Sequence, residues 1–161
     1  MEIRFKKCSP HAVMPHHGSQ DAAGYDLTAT SVRRVGSLYI YQTDIAVEIP
    51  HQFCGIVYPR SSVYLTGLTL LNSVGVIDAD FRGSISAVFR ETPRTKKDME
   101  ALRAYLEETH QENKLPCMRP YEPGERIAQL VIQPCVSAWW TEAQTMTNTQ
   151  RGAHSYGSTG R

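Results

Sequence analysis

The sequence has little that is typical of a membrane protein or a nucleic-acid-binding protein. Its 17 basic and 16 acidic side chains leave a formal net charge of +1, so no excess of positive charge indicates stable binding to nucleic acid. No run approaches the roughly 20 apolar residues that a membrane-spanning helix requires, and the N-terminus lacks the apolar core of a signal peptide. These absences predict a soluble intracellular protein, cytoplasmic or nuclear, without a membrane association.

The 4 cysteines are too few and too widely spaced to form a recognisable pattern. Cys8, Cys54, Cys117 and Cys135 include no C-x-x-C pair and have no clustered histidine partners. This spacing favours neither a zinc site nor a disulfide framework, and it predicts free thiols in a reducing compartment. Because the net charge is only +1, any anion that the protein binds must be held by a few well-placed polar groups.

Short strands separated by turn residues account for most of the chain, which has the length of one domain. The runs are rich in Val, Ile, Tyr and Phe and are bounded by Gly, Pro, Ser or Asn. The predicted strands are Glu2–Lys6, Leu38–Gln42, Asp44–Ile49, Phe53–Val57, Leu68–Leu71, Ser84–Phe89 and Arg126–Gln133. Because helices do not alternate with these strands, the pattern predicts an all-β barrel or sandwich.

One segment, at about residues 95–113, has a helical pattern instead. Its apolar side chains recur near the helical period at Met99, Leu102, Tyr105 and Leu106. Thr95 followed by Asp98 is typical of a capping box at a helix N-terminus. The sequence therefore predicts one amphipathic helix inserted between two strands.

The C-terminal segment, residues 151–160, carries hydroxyl groups, glycines, one Arg and one aromatic ring. It has too little apolar surface to become ordered by itself. A frayed polar tail is the ordinary interpretation of such a chain end. The alternative is an arm that closes over a nucleotide, because its donors suit a triphosphate and its ring suits a flat base.

Four further segments carry polar residues and glycines where a strand would carry apolar ones. They are residues 23–27 (AGYDL), 59–62 (PRSS), 72–83 (NSVGVIDADFRG) and 124–130 (GERIAQL). Asp26 in the first segment either caps a turn or holds a metal-bound water. In the second, Arg60 offers a fork of donors that matches phosphate oxygens, and Ser61 and Ser62 extend it, although turn chemistry would also explain these residues. Gln129 interrupts an apolar strand and needs a polar partner, for which a phosphate oxygen would serve.

The third of these segments combines two carboxylates with an amide and a ring. Asp78 and Asp80 lie two residues apart, so an extended chain points them the same way. Asn72 and Phe81 accompany them. A single Asp here would be interpreted as a solvated residue at the end of a strand. The whole set instead predicts a group that hydrogen-bonds the edge of a base, a general base and a ring that stacks on the ligand.

Taken together and in this order, the five segments resemble the five motifs of the trimeric dUTP pyrophosphatase (dUTPase) family. The similarity extends from about residue 3 to residue 160 and is interrupted only by the helical segment. It implies a distorted jelly-roll barrel over residues 1–150, with a helical insert at 91–120, in a homotrimer. It also implies that residues 151–161 form a flexible arm that closes the active site of a neighbouring subunit.

The resemblance further implies hydrolysis of dUTP to dUMP and pyrophosphate, which limits uracil in DNA and supplies dUMP for dTMP synthesis. Asp78 matches the carboxylate that activates the water attacking the α-phosphorus. Asp26 matches the residue that holds a water bound to Mg²⁺, the metal being held mainly by the triphosphate. The other matching positions bind substrate: Arg60, Ser61, Ser62 and Gln129 the phosphates; Asn72, Gly75, Val76 and Ile77 the uracil; Phe81 the deoxyribose; and Arg151, Tyr156, Gly157, Ser158 and Thr159 the nucleotide from the arm.

Several positions depart from the family pattern. Phe81 stands where the family usually has Tyr, which keeps the ring face and removes a hydroxyl, and Tyr156 stands where it usually has Phe. His154 and Ser155 replace a Gly pair, which would disfavour closure by about 1 kcal/mol each if these positions need a positive φ.

Two other functions fit parts of the sequence. An inactive or additional protein-binding module would use the helical insert to dock a partner, but it would have no need of Asp26, Arg60, Asp78, Gln129 and Arg151. A deoxycytidine triphosphate deaminase would require a Glu that acts on the cytosine ring, whereas the third segment provides Asp78.

Overall fold

The computed structural model describes residues 1–154, with the backbone alone at Pro116 and Cys117. Its strands are β1 (Arg4–Lys7), β2 (His16–His17), β3 (Tyr25–Thr28), β4 (Ser31–Val35), β5 (Leu38–Gln42), β6 (Ile45–Glu48), β7 (Phe53–Pro59), β8 (Leu68–Leu70), β9 (Gly75–Ile77), β10 (Ser86–Glu91) and β11 (Arg126–Pro134). They form sheets of two, four and five strands, and in this part of the chain the sheets do not close into a barrel. The predicted all-β class with one inserted helix is confirmed.

The five-stranded sheet brings distant motifs together. Its order is β2–β3–β11–β7–β9, with every neighbouring pair antiparallel. The long strand β11 lies between β3 and β7, so Gln129 pairs with Asp26 on one side and with Tyr58 on the other. The first, second and fourth polar segments of the sequence therefore meet around one strand.

The core between the sheets is built from aliphatic side chains around an aromatic cluster. Tyr41 and Phe89 are completely buried and pack edge to face, with ring centroids 5.6 Å apart. The Tyr41 hydroxyl donates to the backbone carbonyl of Tyr121 at 3.0 Å. Because burial raises the pKa of Tyr41 well above its ordinary value, this phenol stays protonated and acts as a donor.

The predicted strands all have counterparts, and Leu38–Gln42 is predicted with its observed bounds. Four strands were missed: β2, β3, β4 and β9. Strand β4 is fully exposed and lies at a sheet edge, so no buried face produces an apolar pattern. Strand β3 is buried, but it was missed because one of its buried residues is the charged Asp26, which interrupts the apolar pattern.

The inserted helix is α2 (Lys96–Glu108), which begins at the predicted capping box. The Thr95 hydroxyl accepts from the Asp98 N–H at 3.1 Å, and the Asp98 carboxylate accepts from the Thr95 N–H at 2.9 Å. The helix ends earlier than predicted, because His110 takes a positive φ of 54°. A 3₁₀ helix, Glu112–Cys117, then leads back towards β11.

Two smaller features complete the fold. A short helix, α1 (Val63–Thr66), follows β7 and was not predicted. Over residues 1–154, no helix is both long enough and apolar enough to cross a membrane. The thiols of Cys8, Cys54 and Cys135 are free, as predicted for them.

Candidate active site

Asp26 is the centre of a buried polar cluster on β3. It is 2% exposed. Its Oδ1 accepts from Arg60 Nε at 3.1 Å and from Gln129 Nε2 at 3.3 Å, and its Oδ2 accepts from Arg126 Nη1 at 2.8 Å. A carboxylate can be buried here because two guanidinium groups and an amide replace the water that it loses. The partner predicted for Gln129 is thus a carboxylate within the protein.

An irregularity in β11 is what makes this cluster possible. On a regular strand, Arg126 and Gln129 would point to opposite faces because they are three residues apart. The register shifts between Arg126 and Ala128, which leaves one extra residue in β11. This bulge puts Arg126 and Gln129 on the same face, towards Asp26. Sequence analysis missed Arg126, and a periodicity argument would have excluded it.

The PRSS segment borders a cavity next to this cluster. Arg60 follows β7, and its Nη1 donates to Ser62 Oγ and to the Arg126 carbonyl, each at 3.4 Å. Arg60, Ser61 and Ser62 line a cavity of about 410 Å³ together with Arg126. We call this the cationic cavity, because Lys114 and Arg119 line it as well.

A second ion pair, between Arg119 and Glu125, stabilises the turn before β11. Arg119 donates to both carboxylate oxygens of Glu125, at 3.0 and 3.1 Å, and the Glu122 N–H donates to Glu125 at 2.7 Å. Partial burial alone would raise the pKa of Glu125, but these hydrogen bonds outweigh it and hold the pKa below its usual value. The turn that precedes Arg126 is therefore hydrogen-bonded to Arg119, at the end of the insert.

The residues predicted to contact uracil converge on a different cavity. Asn72, Gly75, Val76 and Ile77 line a second cavity of about 410 Å³. Gly75 lies close to the neighbouring strand, since a Cβ added there would come within 3.2 Å of Val57. Strand β9 is the last of its sheet, and an edge strand presents backbone N–H and C=O groups to a ligand.

Asp78 follows β9 and is exposed. Its carbonyl accepts from the Phe81 N–H at 3.1 Å, which closes a turn. The exposed Phe81 ring lies against Gly83, where an added Cβ would come within 2.6 Å of Phe81 Cζ. Glycine is thus required at position 83 for the ring to keep this place.

One chain does not bring Asp26 and Asp78 together. Their strands, β3 and β9, are three strand spacings apart in the same sheet, or ~14 Å. Along the strands, Gln129 next to Asp26 pairs with Tyr58, whereas Ile77 pairs with Gly55, an offset of ~10 Å. The predicted site residues therefore form two separate clusters.

The predicted arm is described only at its start. Arg151 Nε donates to the His154 carbonyl at 3.1 Å, and both residues are exposed. Gly152 has a φ of 53°, whereas His154 does not have a positive φ. Tyr156, Gly157, Ser158 and Thr159 lie outside the described residues.

Asp26 is the residue that the family resemblance associates with a metal ion. Among residues 1–154, no group of three or more His, Cys, Asp or Glu side chains is arranged to hold an ion. Asp26 accepts three hydrogen bonds, and a carboxylate has about four acceptor positions. The protein's own donors thus leave one acceptor position of Asp26 unused, and a water on Mg²⁺, an ion that usually keeps several waters, is a donor of the right kind for it.

This chain is similar to known proteins in sequence and in fold. The family model described as dUTPase matches residues 10–100. A deoxyuridine 5'-triphosphate nucleotidohydrolase of Hydrogenobaculum sp. is 33% identical over 164 residues, covering 99% of each chain. The dUTPase of Staphylococcus bacteriophage 80alpha, solved with dUPNHPP, has a TM-score of 0.76 at 24% identity over 99% of each chain. A dUTPase mutant from phage phi11 of S. aureus, described with a structural Mg(II) ion, has a TM-score of 0.68 at 21% identity over 90% of this chain and 98% of its own.

The two phage similarities concern the fold alone, whereas the family model and the bacterial relative concern the sequence. Together with the two clusters, they define an all-β nucleotide hydrolase. The chain belongs to the dUTPase family, as its motifs predicted, and it is an enzyme of that family.

Proposed function

We propose that this protein hydrolyses dUTP to dUMP and pyrophosphate by in-line attack of water on the α-phosphorus. The observation that carries the proposal is the division of its polar residues into two cavities. One has backbone groups of an edge strand beside Asn72 and suits a flat base. The other has several guanidinium groups and hydroxyls and suits phosphates.

The phosphates are bound by Arg60, Ser61, Ser62 and Gln129. Asp26 holds both Arg60 and Gln129 in place before a ligand arrives. Side chains that are ordered in advance lose less conformational freedom on binding, so more of their interaction energy contributes to affinity and positioning.

Uracil is bound along β9 by Gly75, Val76 and Ile77, with Asn72 in the turn that precedes the strand. Phe81 packs under the deoxyribose, where its ring leaves no room for a 2′-hydroxyl. Asp78, one residue after β9, orients the attacking water and accepts its proton. Its position next to the proposed base-binding strand supports a role at the sugar and α-phosphate end of the nucleotide.

Mg²⁺ would neutralise charge that develops on the pyrophosphate leaving group. Asp26 would help to hold the ion by accepting a hydrogen bond from one of its waters. Arg126 holds the Asp26 carboxylate in position for this role through their ion pair.

The active enzyme is a homotrimer in which each site is shared. The separation of the Asp26 and Asp78 clusters within one chain supports this, because a nucleotide could contact both only if one comes from another subunit. The exposed Trp139 and Trp140, 93% and 96% accessible, also support packing of the C-terminal segment on another copy. The arm, residues 151–161, closes the site with Arg151, Tyr156, Gly157, Ser158 and Thr159.

In the cell, this reaction limits uracil incorporation into DNA and supplies dUMP for dTMP synthesis. The insert at 91–120 is the segment through which the enzyme would bind a protein partner, in addition to its catalytic function.

The decisive experiment measures pyrophosphate release from dUTP and from the four standard deoxynucleotides, with and without Mg²⁺. We expect release from dUTP alone, and only with the metal. Ammonia release from dCTP would instead identify a deaminase. Light scattering should give three times the subunit mass of 18.1 kDa, and a monomer that is active at all dilutions would contradict the shared site.

A further inference from the structure

The cationic cavity is lined in part by residues that the family motifs do not provide. Tyr121, which follows the insert, lines it together with Arg60, Ser61 and Ser62. The insert also contributes Lys114 to this lining. The insert is thus continuous with the proposed phosphate site.

Tyr121 is held rigidly. Its ring packs edge to face against Tyr41 and Phe89, with centroid distances of 6.1 and 6.0 Å. Its carbonyl accepts the hydrogen bond from the buried Tyr41 hydroxyl. With both its ring and its backbone anchored in the core, Tyr121 has little freedom to turn its hydroxyl elsewhere.

The proton of the Tyr121 hydroxyl nevertheless has no acceptor among the described residues. The residue is 8% exposed and lines the cationic cavity, and its oxygen is buried without a hydrogen bond of ordinary geometry. The Ser62 hydroxyl lies beside it and acts on it as a donor, so Ser62 does not accept this proton. Burial raises the pKa of Tyr121, so the group remains a donor at neutral pH. A buried donor without an acceptor is unusual in a folded protein and indicates a missing ligand or water.

The charge of the cavity indicates which kind of acceptor suits the Tyr121 hydroxyl. Its lining includes the cations Arg60, Lys114, Arg119 and Arg126, with Glu125 as its carboxylate. A donor hydroxyl surrounded by an excess of cations suits an anionic oxygen.

We propose that Tyr121 is a further substrate-binding residue, whose hydroxyl donates a hydrogen bond to a phosphate oxygen of the nucleotide. This inference rests on the proposed function, because it takes the cationic cavity as the phosphate site. It makes the junction of the insert and β11 part of the active site.

The test is the substitution Tyr121→Phe, which removes the hydroxyl and keeps the ring. Because the hydroxyl is unpaired in the free protein, its loss should leave the melting temperature unchanged or raise it. A hydrogen bond to a charged group typically corresponds to about tenfold or more in affinity. We therefore expect the KM for dUTP and the Kd for the non-hydrolysable analogue dUpNHpp to rise about tenfold, and inhibition by inorganic pyrophosphate to weaken.

Two matched variants serve as controls. Tyr105→Phe, on the exposed face of α2, should change neither affinity nor stability. Tyr41→Phe removes the donor to the Tyr121 carbonyl and should lower the melting temperature. A Tyr121→Phe protein that binds dUpNHpp and pyrophosphate within twofold of wild type would overturn the inference and assign the hydroxyl to a water. A fall in stability like that of Tyr41→Phe would also overturn it, because the hydroxyl would then be structural.

The same measurements separate this inference from the proposed function. If wild-type protein does not hydrolyse dUTP, the proposed function fails. If wild type is active and Tyr121→Phe is indistinguishable from it, the assignment of Tyr121 alone fails.

Discussion

Arg126 and Asp26, 100 residues apart in the sequence, form an ion pair of 2.8 Å in which the carboxylate is buried. The pair exists because the bulge in β11 turns Arg126 to the face that carries Gln129. Arg60 approaches the same carboxylate from the end of β7. One buried charge thus sets the positions of the side chains that we propose bind the phosphates.

The substitution Asp26→Asn tests this organisation. It leaves Arg60 and Arg126 without their counter-charge, and we expect the free energy of unfolding to fall by ~1–3 kcal/mol. The estimate is at the lower end for a buried pair because Arg60 is 23% and Arg126 45% exposed. Urea unfolding measures the loss, and kcat/KM for dUTP should fall with it.

The control for Asp26→Asn is Asp21→Asn, an exposed carboxylate in the preceding loop. It should change neither quantity. Full stability of the Asp26→Asn protein would show that the cluster is not held together by this charge.

The substitution Asp78→Asn tests the general base. Asp78 is exposed, so its neutralisation should leave folding intact. Since a general base typically contributes ~10²–10⁴-fold, kcat should fall by that factor while the Kd for dUpNHpp stays nearly constant. Asp80→Asn, two residues away, is the matched control and should remain active. Near-full activity of Asp78→Asn would rule out its assignment as the base.

Elements of the fold that depend on residues close together in the chain could be predicted from the sequence, whereas those that depend on distant partners could not. The helix was predicted because Thr95 and Asp98 are a local pair, and strands with apolar cores such as β7 and β11 were predicted by composition. Strand β3 was missed because Asp26 is buried through partners that lie far away in the chain. Propensity and periodicity describe local preferences and cannot report such partners.

The site divides in the same way. Every motif could be recognised in the sequence, but the contact of Arg126 with Asp26 could not, because a bulge of one residue reverses the face to which Arg126 points. The unpaired hydroxyl of Tyr121 depends on the packing of Tyr41 and Phe89 around it. It has no signal in the sequence at all.

Gly83 is predicted to control the choice between deoxyribose and ribose. In Gly83→Ala the new methyl group would overlap the Phe81 ring, which has to move. If this ring excludes a 2′-hydroxyl, the ratio of kcat/KM for dUTP to that for UTP should fall by about tenfold. Phe81→Ala should give at least the same loss. Discrimination that survives Phe81→Ala would mean that another group reads the sugar.

The Arg119–Glu125 pair predicts a pH dependence of stability. Because its folded-state pKa is lowered, Glu125 stabilises the protein above its unfolded pKa, and this contribution is lost as the pH falls through the folded value. Glu125→Gln should therefore lower the free energy of unfolding by ~0.5–1 kcal/mol at pH 7, a partly exposed pair being screened by solvent. The difference from wild type should shrink towards zero at acidic pH. A difference that is constant between neutral and acidic pH would contradict the assignment, and the exposed Glu122→Gln is the control.

The arm is best tested by mixing two inactive proteins. A chain that ends at Gln150 lacks the arm but keeps Asp78, and we expect it to be inactive with an unchanged melting temperature, because Arg151–His154 are exposed. Asp78→Asn lacks the base but keeps the arm. If each arm closes a neighbour's site, co-refolded mixtures should recover activity at roughly a quarter of the sites in randomly assembled trimers. If each arm closes the site of its own chain, every site lacks either the base or the arm, and the mixture stays inactive. Recovery that requires co-refolding, and that is absent when preformed trimers are combined, would establish that the arm acts between subunits.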